Sequence, residues 1–233
     1  MDTEHPEVSE MTYNHIKKGV FRARPNRFVA VVEVDGEEVV CHVKNTGRCK
    51  ELLVPGCTVV LAQGDNPARK TPYDVIAVYK GERLINMDSQ APNAVAAEYL
   101  RQRFPHAAIR REVRYGESRL DFSVTDGEEQ WLIEVKGCTL ERDNVGYFPD
   151  APTQRGVKHL NHLIRAAQEG YKTAVLFVIQ MTGVSAIRPN DDTHPAFGDA
   201  LRRADAAGVE IWAVDCAVTP DTLTHRHPVP VQL

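Results

Sequence analysis

Short apolar runs separated by turn residues fill the chain between residues 19 and 80. The runs are rich in β-branched residues, and Gly, Asn, Asp and Pro separate them, as is typical of strands joined by tight turns. They lie at residues 28–34, 38–43, 58–62 and 73–78. A short helix is predicted at 47–53. Strands with one interposed helix predict a small closed barrel, for which the OB-fold is the obvious candidate.

Longer periodic segments begin near residue 87. Apolar residues recur at helical spacing in 93–104, 153–169 and 195–207. Strands are predicted at 109–115, 119–124, 130–136, 173–179 and 209–214, with a long loop after the third. This order predicts an α/β fold (α+β overall) in which a mixed sheet is flanked by helices. We therefore expect two domains, an OB-fold nucleic-acid-binding domain over 1–86 and a mixed-sheet domain over 87–233.

Two of the predicted strands form a hairpin that carries charged residues. Polar and apolar positions alternate in both strands, and Asp126-Gly127 between them is a strong signal for a two-residue turn. In that register Thr125 pairs with Glu128, and Asp121 lies opposite Leu132.

Asp121, Glu134 and Lys136 share one face of this hairpin, because side chains alternate between the faces of a strand. The other face is apolar and carries Leu120, Phe122, Val124, Trp131, Ile133 and Val135. Diagonal neighbours across two strands lie roughly 7–8 Å apart. At that separation two carboxylates can hold a divalent cation between them.

Paired carboxylates suit a hard cation such as Mg²⁺ or Mn²⁺, which takes oxygen ligands. Such an ion lowers the pKa of a bound water and stabilises charge on a phosphate. We expect Asp121 and Glu134 to be the ligands, Lys136 to orient the water or neutralise a phosphoryl oxygen, and Glu98 to add a third carboxylate. An exposed strand face with an ordinary Glu–Lys pair explains the same spacing, so the spacing alone leaves both interpretations open.

The charge of the chain is unevenly distributed. The net charge is −4, but residues 11–70 carry ten Lys/Arg against six Asp/Glu, a local +4. A basic first part indicates a polyanionic partner, although a solvated surface of mixed charge fits as well. The sequence shows no secretory signal and no apolar run long enough to span a bilayer. Five cysteines without a CxxC pair favour reduced thiols in a cytoplasmic protein that does not bind membranes.

Several longer strings resemble those of the sugar fermentation stimulation protein A family. They are NRF at 26–28, HVKNTGR at 42–48, ELLVPG at 51–56, RKTPY at 69–73, PN at 92–93, EVKGCT at 134–139 and FPDAPTQRGVKHL at 148–160. The resemblance implies an OB-fold joined to a nuclease-like domain of PD-(D/E)XK type, and DNA binding as the activity. It maps the nuclease pattern onto Asp121, Glu134 and Lys136, with Glu98 as the acid of the helix. It also implies a bacterial or archaeal protein linked to the regulation of sugar-utilisation genes.

Candidate phosphate contacts lie in both halves of the chain. Thr153 is a predicted N-cap, so the helix that follows presents free N–H groups, and Arg155 and Lys158 lie on one side of it. We expect His159 and His162 to be surface or phosphate-contacting groups. In the barrel the candidates are Arg24, Arg27, Asn45, Arg48, Arg69 and Lys70. Tyr73 and Phe21 could stack on bases, although a place in the core suits both better.

The leading hypothesis is a DNA-binding protein that hydrolyses phosphodiester bonds at a Mg²⁺ or Mn²⁺ site. A second hypothesis is a non-catalytic DNA-binding regulator that retains the nuclease fold, and a third is an enzyme that uses the same metal face on RNA or a small molecule. No helix or finger suited to major-groove readout is visible. The strand number of the DNA and the choice between monomer and homodimer stay open.

Overall fold

The computed structural model describes residues 11–45, 47–64, 66 and 68–233, and this part of the chain contains sixteen strands and three helices. The strands of the first half are β1 (Met11–Thr12), β2 (Ile16–Asn26), β3 (Val29–Val34), β4 (Glu37–Val43), β5 (Thr58–Gln63), β6 (Tyr73–Lys80) and β7 (Arg83–Asn86). Those of the second half are β8 (Ala108–Tyr115), β9 (Ser118–Asp126), β10 (Glu129–Cys138), β11 (Leu140–Arg142), β12 (Val145–Phe148), β13 (Lys172–Ile179), β14 (Ala186–Pro189), β15 (Glu210–Val218) and β16 (Thr222–Pro228). The helices are α1 (Ala91–Arg103), α2 (Gln154–Gln168) and α3 (Pro195–Ala206).

A closed barrel of five strands forms the first half and confirms the OB-like prediction. The strands follow the order β4-β3-β2-β5-β6, and a parallel pairing between β4 and β6 closes the barrel. The turn between β3 and β4 has positive φ at Asp35 and Gly36, so both residues adopt the conformation that a two-residue hairpin loop requires. β7 extends the sheet beyond β6.

The predicted helix at 47–53 is wrong. Residues 50–52 form only a turn, in which the Leu52 and Leu53 N–H groups both donate to the Cys49 carbonyl, and Cys49 itself has a positive φ. A single turn fixes several dihedral angles for few hydrogen bonds, so a segment this short does not propagate as a helix before Pro55. The segment is instead an irregular loop on the barrel.

The second half is built on a mixed sheet, as predicted, and this sheet has seven strands. Its order is β1-β16-β15-β13-β10-β9-β8, and β10, β13 and β15 are parallel neighbours. α1 packs in a cluster on one face, whereas residues of α2 and α3 pack in the cluster on the other face. β1 joins this sheet through β16 although it precedes the barrel in the chain. None of the described helices is long and apolar enough to cross a bilayer.

Part of the predicted long loop after β10 is a second, small sheet. β11 and β12 pair as a hairpin, and β12 also pairs in parallel with β14. Asp143 and Asn144 in the turn both have positive φ, which is the geometry of a tight hairpin loop. Residues 145–148, which precede the entrance to α2, are therefore held by pairing on both sides.

Charged and polar side chains connect the two halves. Glu141 of β11 pairs with Lys80 of β6 at 2.7 Å and with Arg83 of β7 at 3.1 Å. The fully buried Asp88 between the halves pairs with Lys44 of the loop after β4 at 2.8 Å. These contacts hold the barrel against the mixed sheet, so that loops from both halves meet.

Candidate metal site and nucleic-acid groove

The hairpin that carries the candidate acids has a different register from the predicted one. Asp126 pairs with Glu129, so the turn is Gly127-Glu128 instead of Asp126-Gly127. The pairing ends with Phe122 opposite Ile133, and this register, continued by one step, would bring Asp121 opposite Glu134 instead of Leu132. Each residue of β9 thus pairs two positions further along β10 than predicted. Because this shift is an even number, the same residues stay on the same face of the hairpin.

The strand β9 changes its packing at Asp121. Leu120 packs in the cluster that contains Leu160 of α2, whereas Phe122 packs in the cluster on the α1 side. Simple alternation predicted that Leu120 and Phe122 share a face, and the structure shows that they do not. The other five predicted apolar positions do pack together on the α1 side. Asp121 lies at the switch between the two packing environments.

Asp121 is held by groups from two other elements. Its Oδ2 accepts the Val135 N–H of β10 at 2.8 Å, and its Oδ1 accepts the Asn93 side-chain amide of α1 at 3.1 Å. Burial, followed by the negative charge of Glu134, raises the pKa of Asp121 above its usual value. Asp121 is thus close enough to Glu134 to sense its charge.

Glu134 is buried and asymmetrically bonded. Its Oε1 accepts the Lys136 ammonium at 2.5 Å and also contacts His159 Nδ1. Burial favours the neutral acid, but the His159 hydrogen bond and the Lys136 charge outweigh it and hold the pKa of Glu134 below its usual value. Its Oε2 is buried and has no hydrogen-bond partner within the described residues. An unpartnered buried carboxylate oxygen is costly unless it serves a ligand.

His159 is a site residue that the sequence reading missed. It is only 5 % exposed, so the expectation of a surface group is wrong. The Arg155 Nε–H donates to His159 Nε2 at 3.4 Å, and the imidazole therefore carries its proton on Nδ1 and donates it to Glu134. The available signal was helical spacing, because His159 lies three residues after Gly156 and four before Leu163 on the buried face of α2.

The start of α2 agrees with the sequence prediction. Thr153 is the N-cap, and its Oγ1 accepts the Gly156 N–H at 3.0 Å. Arg155 and Lys158 are both exposed, and the Lys158 ammonium lies 3.5 Å from Glu117. α2 thus supplies a basic outer side and, through His159, a hydrogen bond to Glu134.

Glu98 is not brought to the other two acids. It is 8 % exposed, and its Oε1 lies 3.7 Å from His225 of β16. β15 and β13 separate β16 from β10 in the sheet, a lateral distance of about 14 Å at the usual strand spacing. The α1 residue that does reach Asp121 is Asn93, from the PN pair at 92–93.

Asp121 and Glu134 are therefore the two carboxylates that could hold a cation. The described residues contain no group of three or more His, Cys, Asp or Glu side chains arranged for a metal. Mg²⁺ is usually bound by one or two carboxylates together with waters and substrate phosphates. Two converging acids with one unpartnered buried oxygen fit such an ion, although they do not form a closed protein cage.

A cleft of about 330 Å³ opens where the parallel strands β10 and β13 end. Its wall includes Gly137 of β10, Gln180 after β13, and Asp150 to Thr153 before α2. A Cβ on Gly137 would lie 2.6 Å from both Gln180 and Pro92, so only glycine permits this close approach. Asp121, Glu134 and Lys136 do not line the cleft themselves, but Lys136 immediately precedes Gly137.

A basic groove of about 510 Å³ lies on the barrel beside this cleft, and the two share Gly47 and Ala151. Its lining contains four cations and no acid. They are Arg24, Arg27, Arg48 and Lys50.

Arg24 and Asn45 also have structural roles. The Arg24 guanidinium donates to the carbonyls of Arg48, Arg27 and Asn45. The Asn45 side chain donates to the Met87 carbonyl at 2.9 Å and accepts the Gly47 N–H at 2.7 Å, while the residue lines the cleft. Both residues shape the loop that separates cleft and groove.

The remaining two barrel candidates lie elsewhere. Arg69 pairs with Asp74 at 2.5 Å, and Lys70 is exposed beside it. Neither lines the groove. Of the six barrel candidates, Arg24, Arg27 and Arg48 line the groove and Asn45 lines the cleft, whereas Arg69 and Lys70 line neither.

The family models and relatives match almost the whole chain. Residues 23–87 match the model described as "SfsA N-terminal OB domain", and residues 90–222 match "Sugar fermentation stimulation protein RE domain". A sugar fermentation stimulation protein homolog of Desulfitobacterium hafniense strain Y51 is 52% identical over 227 residues, which cover 96% of this chain and 99% of the relative. A homolog of Clostridium beijerinckii is 52% identical over 226 residues, covering 96% of this chain and all of the relative.

A solved structure has the same fold. The Pyrococcus furiosus SfsA structure, described as a complex with Ca²⁺, superposes with a TM-score of 0.86 at 25% identity and covers 97% of this chain and 100% of its own. Both halves and their arrangement thus have a counterpart in one solved protein. The chain belongs to the sugar fermentation stimulation protein family.

Proposed function

We propose that this protein binds DNA and hydrolyses a phosphodiester bond with the help of Mg²⁺ or Mn²⁺ held by Asp121 and Glu134. The observation that carries the proposal is the buried Glu134 Oε2, which has no partner in the described part of the chain and lies near a second, half-buried acid, Asp121. When bound, the ion would activate water and stabilise charge on the phosphate.

The relative from Pyrococcus furiosus supports a hard cation. Its structure is described as a complex with Ca²⁺, and Ca²⁺, like Mg²⁺, prefers oxygen ligands. The donor atoms that Asp121 and Glu134 offer are carboxylate oxygens. Transfer of this property to the present chain is part of the proposal.

Neighbouring groups fix the orientation of both acids. His159 and Lys136 bond Glu134 Oε1, which fixes the carboxylate and leaves Oε2 as its ligand atom. Asn93 and the Val135 N–H orient Asp121 in the same way. With a phosphate in place, the Lys136 ammonium could turn from Glu134 to a phosphoryl oxygen, where it would neutralise developing charge.

The basic groove supplies affinity. Arg27, Arg48 and Lys50 are exposed cations along its wall, and none has a carboxylate partner within 4.0 Å in the described residues. Cations of this kind contact the DNA backbone without reading its sequence. Because the groove borders the cleft at Gly47 and Ala151, a strand bound in the groove can continue toward β10.

A non-catalytic DNA-binding regulator is the second candidate. It is favoured by the bonding of Glu134 Oε1, which is already satisfied by Lys136 and His159, and by the distance of Glu98 from the pair. In this version Asp121 and Glu134 stabilise the fold through their hydrogen bonds, and only the groove contacts DNA.

A cleavage assay with labelled DNA in Mg²⁺ or Mn²⁺ separates these candidates. We expect cleavage by the wild type and its loss in Glu134→Gln and Lys136→Met, because both substitutions keep the size of the side chain and remove its charge. Glu128→Gln, an exposed acid in the turn of the same hairpin, is the matched control and should cleave normally. Equal cleavage by all four proteins, or no cleavage by the wild type, would contradict the nuclease proposal. A wild type that binds DNA but does not cleave it would favour the regulator.

The helix acid is tested in the same assay. Glu98→Gln should retain cleavage, since Glu98 pairs with His225 at the other side of the sheet. A loss comparable to that of Glu134→Gln would return Glu98 to the catalytic set.

A further inference from the structure

Phe28 has an unusual environment for an aromatic residue. It is 50% exposed, and it is the only aromatic side chain classed as exposed in the described part of the chain. Phenylalanine is usually buried, and its exposure leaves a large apolar face in water. It lies at the tip between β2 and β3, in the NRF string at 26–28.

The backbone around Phe28 is held in place. The Phe28 N–H donates to Asn26 Oδ1 at 2.9 Å, and its carbonyl accepts the Val43 N–H at 2.8 Å. The preceding carbonyl, that of Arg27, accepts the Arg24 guanidinium at 2.8 Å. The ring is thus presented on a fixed turn, which reduces the entropy that a ligand contact must overcome.

The exposed ring adjoins the basic groove. The Arg27 guanidinium lies 5.5 Å from the centre of the Phe28 ring, and Arg27 and Asn26 both line the groove with Arg48 and Lys50. A cation for a phosphate and an aromatic face for a base therefore lie side by side. A cation beside an aromatic face suits a nucleotide whose base is unpaired, because the phosphate and the base each find a partner.

The aromatic residues that the sequence suggested for stacking do not take this role. Phe21 is 2% exposed and belongs to the barrel core. Tyr73 is half-buried and packs against the same core. Phe28 is left as the exposed aromatic ring at the groove.

We propose that Phe28 is a stacking platform for an unpaired nucleobase, so that the groove binds single-stranded DNA more tightly than duplex DNA. The inference rests on the proposed DNA binding and adds the form of DNA that the groove selects. Bases in a duplex are stacked on their neighbours and do not offer a face to the ring, whereas every unpaired base does. The phosphates attract the cations of the groove in both forms, at a higher charge density in the duplex, so a preference for the single strand requires the base contact.

The test compares two single strands of equal length, oligothymidylate and a fully abasic oligomer, by fluorescence anisotropy in EDTA to prevent cleavage. Both carry the same phosphates, but only the first carries bases. Wild type should bind oligothymidylate roughly 5- to 100-fold more tightly than the abasic strand, and Phe28→Ala should abolish most of that preference without changing the abasic affinity. Phe28→Trp should retain the preference, and Val40→Ala, an exposed apolar residue of the same barrel, should not alter it.

The outcomes separate this inference from the proposal on which it rests. A preference for bases that survives Phe28→Ala would overturn the platform, as would equal binding of both strands by the wild type. In either case, binding that weakens with salt would still support a DNA groove. A wild type that binds no DNA at all would overturn both statements. Duplex DNA measured alongside should bind less tightly than oligothymidylate, and Phe28→Ala should leave the duplex affinity unchanged.

Discussion

The carboxylate pair of the mixed sheet and the basic groove of the barrel are organised in opposite ways. Glu134 is buried and Asp121 is half-buried, and the pair receives hydrogen bonds from α1, β10 and α2. The cations Arg27, Arg48 and Lys50 are exposed, and the groove around them is open. The first arrangement fixes a few atoms precisely, as chemistry requires. The second spreads charge over a surface, as affinity for a polyanion requires.

The two regions also differ in how their charged groups contribute to the free energy of folding. A buried acid costs free energy that its hydrogen bonds must offset, so each partner of Glu134 affects the site strongly. An exposed cation is solvated in the absence of DNA and contributes little to stability. Substitutions in the two regions should therefore change different measurable quantities, turnover in one and salt-dependent binding in the other.

The largest expected effect follows from Glu134→Gln. Cleavage should fall by at least about 100-fold, the scale of losing one charged group that acts in the transition state. DNA affinity should stay within about twofold of the wild type, because the groove is untouched. Single-turnover cleavage and anisotropy binding measure the two quantities separately. A parallel loss of affinity would show that the two regions are not functionally distinct.

A smaller loss is expected for His159→Ala. Its removal leaves Glu134 Oε1 with Lys136 alone, and supporting groups of metal ligands typically contribute 10- to 100-fold in activity or metal affinity. His159→Asn, which can still donate a hydrogen bond, should recover part of the loss, and His162→Ala on the same helix is the control. A metal titration accompanies the assay, since loss of activity with unchanged metal affinity would contradict the positioning role.

Arg48→Ala tests the groove. We expect affinity to fall roughly tenfold, the scale of one hydrogen bond to a charged group, and the slope of log affinity against log salt to fall by about one. Turnover at saturating DNA should be unchanged. Arg101→Ala, an exposed arginine of α1 outside the groove, is the matched control. An unchanged salt slope would place the DNA elsewhere on the protein.

The smallest effect is expected for Glu141, whose ion pairs with Lys80 and Arg83 join the two halves of the chain. Burial favours neutral Glu141, but its hydrogen bond from Lys80 and that from the Asn144 N–H outweigh it and hold the pKa of Glu141 below its usual value. Glu141→Gln should lower the free energy of unfolding by about 1 kcal/mol near pH 7. Since the folded pKa is depressed, this contribution is present above pH 4.5, the unfolded value, and is lost as the pH falls through the folded pKa. Denaturant unfolding at pH 7 and pH 3.5 measures the difference, and a difference independent of pH would contradict the assignment.

Two Asp-Gly turns show how far local sequence determines the fold. Asp35-Gly36 forms a two-residue turn, with Val34 opposite Glu37. Asp126-Gly127 does not, because Asp126 is already paired and Gly127-Glu128 makes the turn. Local turn chemistry allows both positions, and the packing of distant strands selects one. The acids nevertheless stay on the predicted face, because a shift of two residues preserves it.

The candidate site was predictable only in part. Alternation in the strands located Asp121, Glu134 and Lys136, since it depends on the sheet period alone. It did not locate the partners from other elements, because the packing of α1 and α2 on the sheet decides that Asn93 and His159 reach the acids and that Glu98 reaches His225. Helical spacing places His159 on the buried face of α2, but no local signal says which acid a buried side chain reaches.

Calorimetric titration of the DNA-free protein with Mn²⁺ tests the central claim, that Asp121 and Glu134 form a metal site. The account predicts one binding event in the wild type that is weakened at least about tenfold in both Asp121→Asn and Glu134→Gln and is unaffected by Glu128→Gln. Circular dichroism of each variant shows that the fold is intact. Equal Mn²⁺ binding by the wild type and both variants, or no binding by the folded wild type, would contradict it.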